Sequence, residues 1–179
     1  IMEKSKTLKY ITIAIACLAA LVWGIALLSP SESAKPLEGE AGKQATIEYY
    51  NTVTTLKDTL KAILVQATDK ADKEDIQGAY KDFKTKAEPL FREATAEFLS
   101  LQSRVPNVKD KQLLSDIVKN LRLYAGVKHD AIERFLEGVE DSKEGKFLEA
   151  QVKNERADGY LTKAENLLFQ LESKNGLGQ

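Results

Sequence analysis

The sequence predicts an all-α protein in which a single N-terminal transmembrane helix is followed by an antiparallel up-down-up-down four-helix bundle. An uncharged apolar run at residues 10–28 predicts the transmembrane helix. From residue 43 onward, apolar residues recur at alternating intervals of three and four, which is the period of a helix packing against other helices. The chain of 179 residues has room for one anchor and one domain.

The apolar run at 10–28 reads YITIAIACLAALVWGIALL. At about 1.5 Å per residue it spans roughly 28 Å, close to the hydrocarbon thickness of a bilayer. Lys4, Lys6 and Lys9 precede it, with Glu3 as the only nearby acid. Positive charge beside a first hydrophobic segment favours a cytoplasmic position. We therefore expect residues 1–9 to be cytoplasmic, 10–28 to be a signal anchor in the cell membrane, and the rest to be extracytoplasmic.

Two other readings of this run stay open. A cleaved signal peptide would normally have a shorter apolar region of about 7 to 15 residues, so the length favours an uncleaved anchor. Lipidation of Cys17 is the third reading, because residues 14–17 loosely resemble a bacterial lipobox, although a long apolar stretch follows the cysteine.

One side of the predicted transmembrane helix carries small residues four positions apart. They are Thr12, Ala16, Ala20 and Gly24. Small residues at this spacing allow the backbone of a second helix to approach closely in lipid. We expect self-association or another membrane protein on this face, although alanine is also simply common in apolar segments.

Residues 29–42 are expected to be a flexible linker, because prolines, glycines and charges alternate there without apolar periodicity. The bundle is expected at 43–174, and residues 175–179 as a helix stop followed by a tail. The four helices are predicted at the following approximate ranges: 43–68, 72–102, 108–141 and 144–174.

Folding consecutive helices so that their apolar stripes face each other places the reversals near 71.5, 105.5 and 142.5. Asp72 and Asn107 are expected to be N-caps beside the first two reversals. At the third, Gly138 is expected to face Phe147, a small residue against a large one. Pro89 removes a helical hydrogen bond inside the second helix, so a kink or a break is expected there.

A polar concentration on the inward stripes is the candidate site. Tyr80, Tyr124, Lys128 and Asn154 are expected in adjacent layers, with Phe83 in the layer of Lys128. One hypothesis is that they line a small pocket in which Lys128 meets an anionic ligand. The favoured interpretation is that Lys128 extends along its stem to solvent while Asn154 fixes the register of the helices, since both features are ordinary in bundles.

Composition argues against several functions. The 26 basic and 27 acidic residues nearly cancel, which disfavours nucleic-acid binding. Cys17 is the single cysteine and His129 the single histidine, so we expect no disulfide, no metal and no cofactor, and we expect His129 on the solvated surface. No motif of a known catalytic set is present, and the sequence predicts that the protein is not an enzyme.

The segment EGKFLEA at 144–150 resembles a turn and helix start of tetratricopeptide repeats, and Ala157, Tyr160 and Ala164 continue in a similar style. The likeness covers about a quarter of the bundle, and the predicted helices are much longer than the halves of a 34-residue repeat. The outer domain also resembles small bacterial extracytoplasmic helical proteins, a likeness that implies no activity.

The expected function is that of a structural or protein-interaction subunit of a membrane or cell-surface assembly. Tyr50 and Tyr160 lie beside the stripes as candidate contact residues, although widening of the core is the favoured explanation. The alternative is an extracytoplasmic domain that binds or senses a small ligand in the polar layers. The expected partners are the bilayer and a second membrane protein or a second copy.

Overall fold

The computed structural model describes residues 35–177, and this part of the chain is helical throughout apart from its turns. Its elements are α1 (Gly39–Asp72), α2 (Ile76–Asp82), a π-helical turn (Phe83–Ala87), α3 (Glu88–Ser103), α4 (Lys111–Asp141) and α5 (Glu144–Asn175). The predicted all-helical bundle is confirmed. The longest helix, α1, measures about 51 Å at 1.5 Å per residue.

The predicted cytoplasmic segment, transmembrane helix and small-residue face of Thr12, Ala16, Ala20 and Gly24 lie outside the described residues. None of the helices between residues 35 and 177 combines the length and the apolar character that a bilayer crossing requires.

The closest packing in the bundle is between the antiparallel helices α4 and α5. On α5, Ala150, Ala157 and Ala164 recur every seven residues and are at most 8% exposed. Alanine at this spacing keeps one side of the helix thin, so the two helix axes can approach closely. The expected match of Gly138 with Phe147 is confirmed, since a Cβ atom at Gly138 would lie 3.0 Å from the Phe147 ring.

The first two hairpins are offset by about seven residues, or two turns, from the expected register. Lys70 pairs with Asp82 at 2.6 Å, and the Phe83 ring packs on Phe135 rather than beside Lys128, with ring centroids 5.2 Å apart. The chain reverses at 73–75 and 104–110, later than expected, and at 142–143 as expected. A stripe with a period of 3.5 residues still meets its partner after a slip of two turns, so the stripes alone do not fix the register.

The helix caps also correct the expected positions by three residues. Asp72 is the last residue of α1, and Asp75 caps α2 instead by accepting a hydrogen bond from the Gly78 backbone N–H at 2.9 Å. Asn107 lies in the loop before α4, whose N-cap is Asp110. Asp75 is the residue placed to reach a free amide of α2, because Glu74 adopts a left-handed conformation just before it.

The expected interruption near Pro89 takes the form of a π-helical turn, Phe83–Ala87, directly before the helix that contains Pro89. The helical path continues through the π-helical turn, and Pro89 occupies the first turn of α3, where its missing N–H is tolerated. Ala79, Ala87 and Phe91 are all buried and lie at multiples of four residues. Such a spacing drifts around a regular α-helix, and a wider π turn returns these side chains to the core.

The start of α1, the 104–110 loop and the end of α5 meet at one end of the bundle, called here the terminal end. The Leu37 N–H donates to the Asn107 carbonyl at 2.7 Å, and the Asn175 amide donates to Asp110 at 3.3 Å. α1 begins at Gly39, so the last residues of the expected linker are helical. Gly176, with φ +64°, ends α5 at the predicted stop.

The opposite end, called the two-turn end, contains the turns 73–75 and 142–143. Here the carboxylate of Asp82, 6% exposed, is held between the ammonium groups of Lys70 at 2.6 Å and Lys86 at 2.8 Å. Burial opposes ionisation of Asp82, but hydrogen bonds from the two lysines outweigh it and lower its pKa. This ion cluster joins α1 to α2 and the π turn.

We predict that Asp82→Asn lowers the free energy of unfolding by about 1–3 kcal/mol at neutral pH, since it removes charged hydrogen bonds from a buried group. The pKa of Asp82 is lower in the folded than in the unfolded chain. The stabilisation is therefore complete above the ordinary value of 3.8 and is lost as the pH falls through the lowered value. Urea unfolding between pH 7 and pH 2 measures this.

The matched control is Asp58→Asn, because the Asp58 side chain is 65% exposed in its pair with Lys57. We expect that change to cost less than about 1 kcal/mol. Equal losses for the two variants at pH 7, or a loss for Asp82→Asn that stays constant down to pH 2, would contradict the role given to the Asp82 cluster.

Candidate functional site

The side chain of Lys128 is the main buried polar feature between α4 and α5. The residue is 6% exposed, and its ammonium group donates to Asn154 and, at 2.7 Å, to Asp158. The ammonium also lies 5.7 Å from the centroid of the Tyr124 ring. Lys128 therefore does not extend to bulk water, and its charge is neutralised within the seam.

Tyr80 does not belong to this group, although it was expected beside the other three residues. The expected group of four is therefore corrected to Tyr124, Lys128 and Asn154. The Tyr80 hydroxyl donates to Glu140, near the C-terminal end of α4. Lys84 bonds to the same carboxylate at 2.6 Å and to the Tyr80 hydroxyl at 3.0 Å. The hydrogen bond and charge of Glu140 raise the pKa of Lys84. Tyr80 lies nearer the two-turn end than expected, because the register of its helix against α4 differs from the expected one.

Asp158 is the site residue that the sequence reasoning missed. It was placed outside the apolar stripes, yet it lies one turn after Asn154 on α5 and reaches Lys128. The Asp158 side chain is 55% exposed, so the carboxylate that pairs with the buried Lys128 is in contact with water. The available signal was the spacing of four residues between Asn154 and Asp158, which places them on one face of a helix.

A cleft of about 500 Å³ opens beside Lys128, between α1 and the start of α5. Its floor is formed by α4 and by Phe83. Most of the lining side chains are apolar, with polar groups at one edge: Leu64, Thr68, Phe83, Lys128, Ala131, Ile132, Phe135, Phe147, Ala150, Gln151 and Asn154. Lys128, Gln151 and Asn154 are already engaged in hydrogen bonds. The cleft therefore suits apolar groups better than an anion.

Several exposed apolar side chains lie on the helices at the two-turn end, and one of them borders the cleft. Phe147 is on its lip at 39% exposure, and Leu148 and Val152 follow on the outer side of α5 at 64% and 59%. Val65 and Ile76, at 64% and 51%, belong to the same end of the bundle. Leu148 and Val152 are four residues apart, so they share one helix face. This set is called the two-turn apolar surface below.

Tyr50 and Tyr160 are partly buried and packed against the core. They therefore widen the core, which was one of the two roles expected for them. The Tyr50 hydroxyl donates to Glu172 at 2.6 Å and so links α1 to α5. Burial and this hydrogen bond raise the pKa of Tyr50 to about 12. Tyr160 is flanked by Arg156 and Lys163 at cation–π distances.

His129 is not the solvated surface residue that was expected. Its side chain is 16% exposed, and Nε2 lies 3.0 Å from the Glu88 carboxylate across the seam between α3 and α4. Its neighbour Lys128 faces α5 instead. Adjacent positions on a helix point about 100° apart. Two consecutive residues of α4 can therefore contact α5 and α3, respectively.

No protein-family model matches the sequence, and no curated protein or solved structure matches it significantly. The resemblance to tetratricopeptide repeats is therefore not supported by a match. The class of the protein is defined by its architecture as an all-helical bundle, and its function has to be argued from the surfaces and clusters described above.

We predict that Lys128→Met changes the free energy of unfolding by less than about 1 kcal/mol, because methionine keeps the buried stem and the half-exposed Asp158 can be hydrated. Lys128→Ala is expected to cost about 2 kcal/mol or more by leaving a cavity. Chemical unfolding of the three proteins compares these values. An equal loss for the two variants would mean that the charge, rather than the stem, holds the seam.

Proposed function

We propose that this protein is a structural or protein-interaction subunit of a membrane assembly, without enzymatic activity. In this proposal residues 10–28 anchor an up-down-up-down bundle outside the cell membrane, and the bundle acts through contact with a second protein or a second copy. The two-turn apolar surface is the observation that carries the proposal.

The position of this surface fits an anchored protein. Residue 37 and Asn175 both lie at the terminal end, so an anchor that precedes residue 35 attaches there. The two-turn end then points away from the bilayer, at about the length of α1 from it. A rod that presents apolar side chains at its far end is suited to reach a partner beyond the membrane surface.

The chemistry of this end also favours contact over catalysis. Leu148 and Val152 expose apolar area next to a cleft that is itself mostly apolar. Exposed apolar side chains grouped at one end of a protein are typical of protein-interaction sites. The neighbouring ionic groups, such as Lys84 with Glu140, are paired with each other and are exposed to water, which is the polar rim expected around such a contact.

We predict that a double change of Leu148→Glu and Val152→Glu removes the partner. The full-length chain is extracted from its native membrane in mild detergent, and native mass spectrometry gives the mass and stoichiometry of the complex. Both side chains are more than half exposed, so the variant is expected to keep the melting temperature of the wild type while the complex is lost.

The matched control is Leu99→Glu with Phe169→Glu, at 54% and 68% exposure away from the two-turn end. This control is expected to keep the complex. If Ala20→Leu or Gly24→Leu disrupts it and the α5 change does not, the contact lies in the anchor and the two-turn surface is not the interface. A wild-type chain that is monomeric under all these conditions would contradict the proposal.

A small-ligand function is the second candidate, and the cleft beside Lys128 favours it. Its lining predicts an apolar or weakly polar ligand rather than the anion first expected, because Asp158 already neutralises Lys128. The same mass measurement separates the two functions, since a retained ligand adds a small constant mass to the monomer. Phe135→Ala would then remove that mass, because Phe135 is part of the floor of the cleft.

A further inference from the structure

Three potential metal ligands converge across the seam between α3 and α4. Glu88 is the first residue of α3, and His129 and Glu133 are one turn apart on α4. One ligand atom of each lies within 4.8 Å of the other two. No other group of three or more such residues meets this condition within residues 35–177.

Well-packed helices hold this group. Close to it, the buried rings of Phe91 and Tyr124 meet edge to face with centroids 5.8 Å apart, which joins α3 to α4. Gly126 of α4 faces Thr95 of α3, since a Cβ atom at Gly126 would be in ordinary contact with the Thr95 methyl at 3.6 Å. Ligands carried by packed helices keep their relative positions better than ligands carried by loops.

The imidazole of His129 has a carboxylate at each nitrogen. Nε2 is 3.0 Å from Glu88 Oε1, and Nδ1 is 3.8 Å from Glu133 Oε2. A neutral imidazole has one N–H group, so it can donate to one of the two carboxylates while its lone pair faces the other. A metal ion bound by the lone pair and by carboxylate oxygens takes the place that a second proton on the imidazole would otherwise fill.

We propose that Glu88, His129 and Glu133 bind one divalent transition-metal ion of the Zn²⁺ type, with water completing the coordination. Imidazole nitrogen and carboxylate oxygen are common ligands of such ions, at about 2.0–2.2 Å. Glu133 is the most exposed of the three side chains, at 51%, and it swings inward on binding. The bound ion clamps α3 to α4 at the point where the chain leaves the π turn.

Arg92 competes with the ion. Its guanidinium lies 3.4 Å from Glu88 Oε1 and is 64% exposed, so it can turn into solvent when the metal binds. Its positive charge disfavours a second cation on the same carboxylate. Removal of the Arg92 charge should therefore strengthen metal binding. If the pair of Glu88 and His129 were only structural, removal of this charge would have no such effect.

The test is titration of the full-length chain, carrying no histidine tag, with ZnCl₂ by isothermal calorimetry, and with Co²⁺ followed by its visible absorption. We expect one ion per chain and a rise in melting temperature with Zn²⁺, but not with Mg²⁺. His129→Gln and Glu88→Gln should weaken binding by at least about tenfold, and Arg92→Gln should tighten it.

The control is Glu137→Gln, which changes an exposed carboxylate one turn beyond Glu133 that pairs with Arg134 and Lys146. It is expected to bind Zn²⁺ as the wild type does. Binding that is equal in the wild type and in His129→Gln, or the absence of any saturable Zn²⁺ binding to the wild type, would overturn the proposal.

Discussion

The close antiparallel packing of α4 on α5 is the constraint on which the rest of the structure depends. Ala150, Ala157 and Ala164 make one side of α5 thin, and this allows α4 to approach closely enough for Lys128 to reach Asn154 and Asp158. The pairing brings Phe147 onto Gly138. α4 thereby becomes the element that faces both α3 and α5, and consecutive residues of α4 supply the Lys128 group and the His129 cluster.

The two ends of the bundle differ in chemistry. At the terminal end, backbone and amide hydrogen bonds join the start of α1, the 104–110 loop and the end of α5. At the two-turn end, the helices separate around the cleft, and paired charges alternate with exposed apolar side chains. The two-turn end is therefore the end where a mostly apolar cleft and exposed apolar side chains of α5 lie together.

The sequence predicted the helices and their buried faces but not the register of the first two hairpins. Apolar periodicity decides which side of a helix is buried, and a slip of two turns preserves that side. The third hairpin was predicted in the observed register, in which the apolar stripes pair and Gly138 faces Phe147. In the first, Asp75 is the cap instead of the expected Asp72, and the left-handed conformation of Glu74 that positions Asp75 leaves no periodic signal in the sequence.

Only part of the candidate site was predicted, because the apolar stripes did not determine the register of the first two hairpins. A lysine on an apolar stripe indicated a buried polar group, and Tyr124 and Asn154 were correctly grouped with it. Tyr80 was misplaced because its assignment depended on the register. Asp158 and Glu88 were missed because they flank the apolar stripes of their helices. Polar contacts between two packed helices often come from such flanking residues. The burial of His129 depends on Glu88, a residue distant in sequence that only the folded α3–α4 seam brings near.

The most direct test of this account is the free energy of unfolding of Ala157→Leu. Ala157 is 0% exposed, so a larger side chain there must separate α4 from α5, and we expect a loss of about 1–3 kcal/mol or more. Ala62→Leu, at an exposed position of α1, is the matched control and should change stability by less than about 0.5 kcal/mol. Equal stability of the two variants would contradict the close packing of α4 on α5.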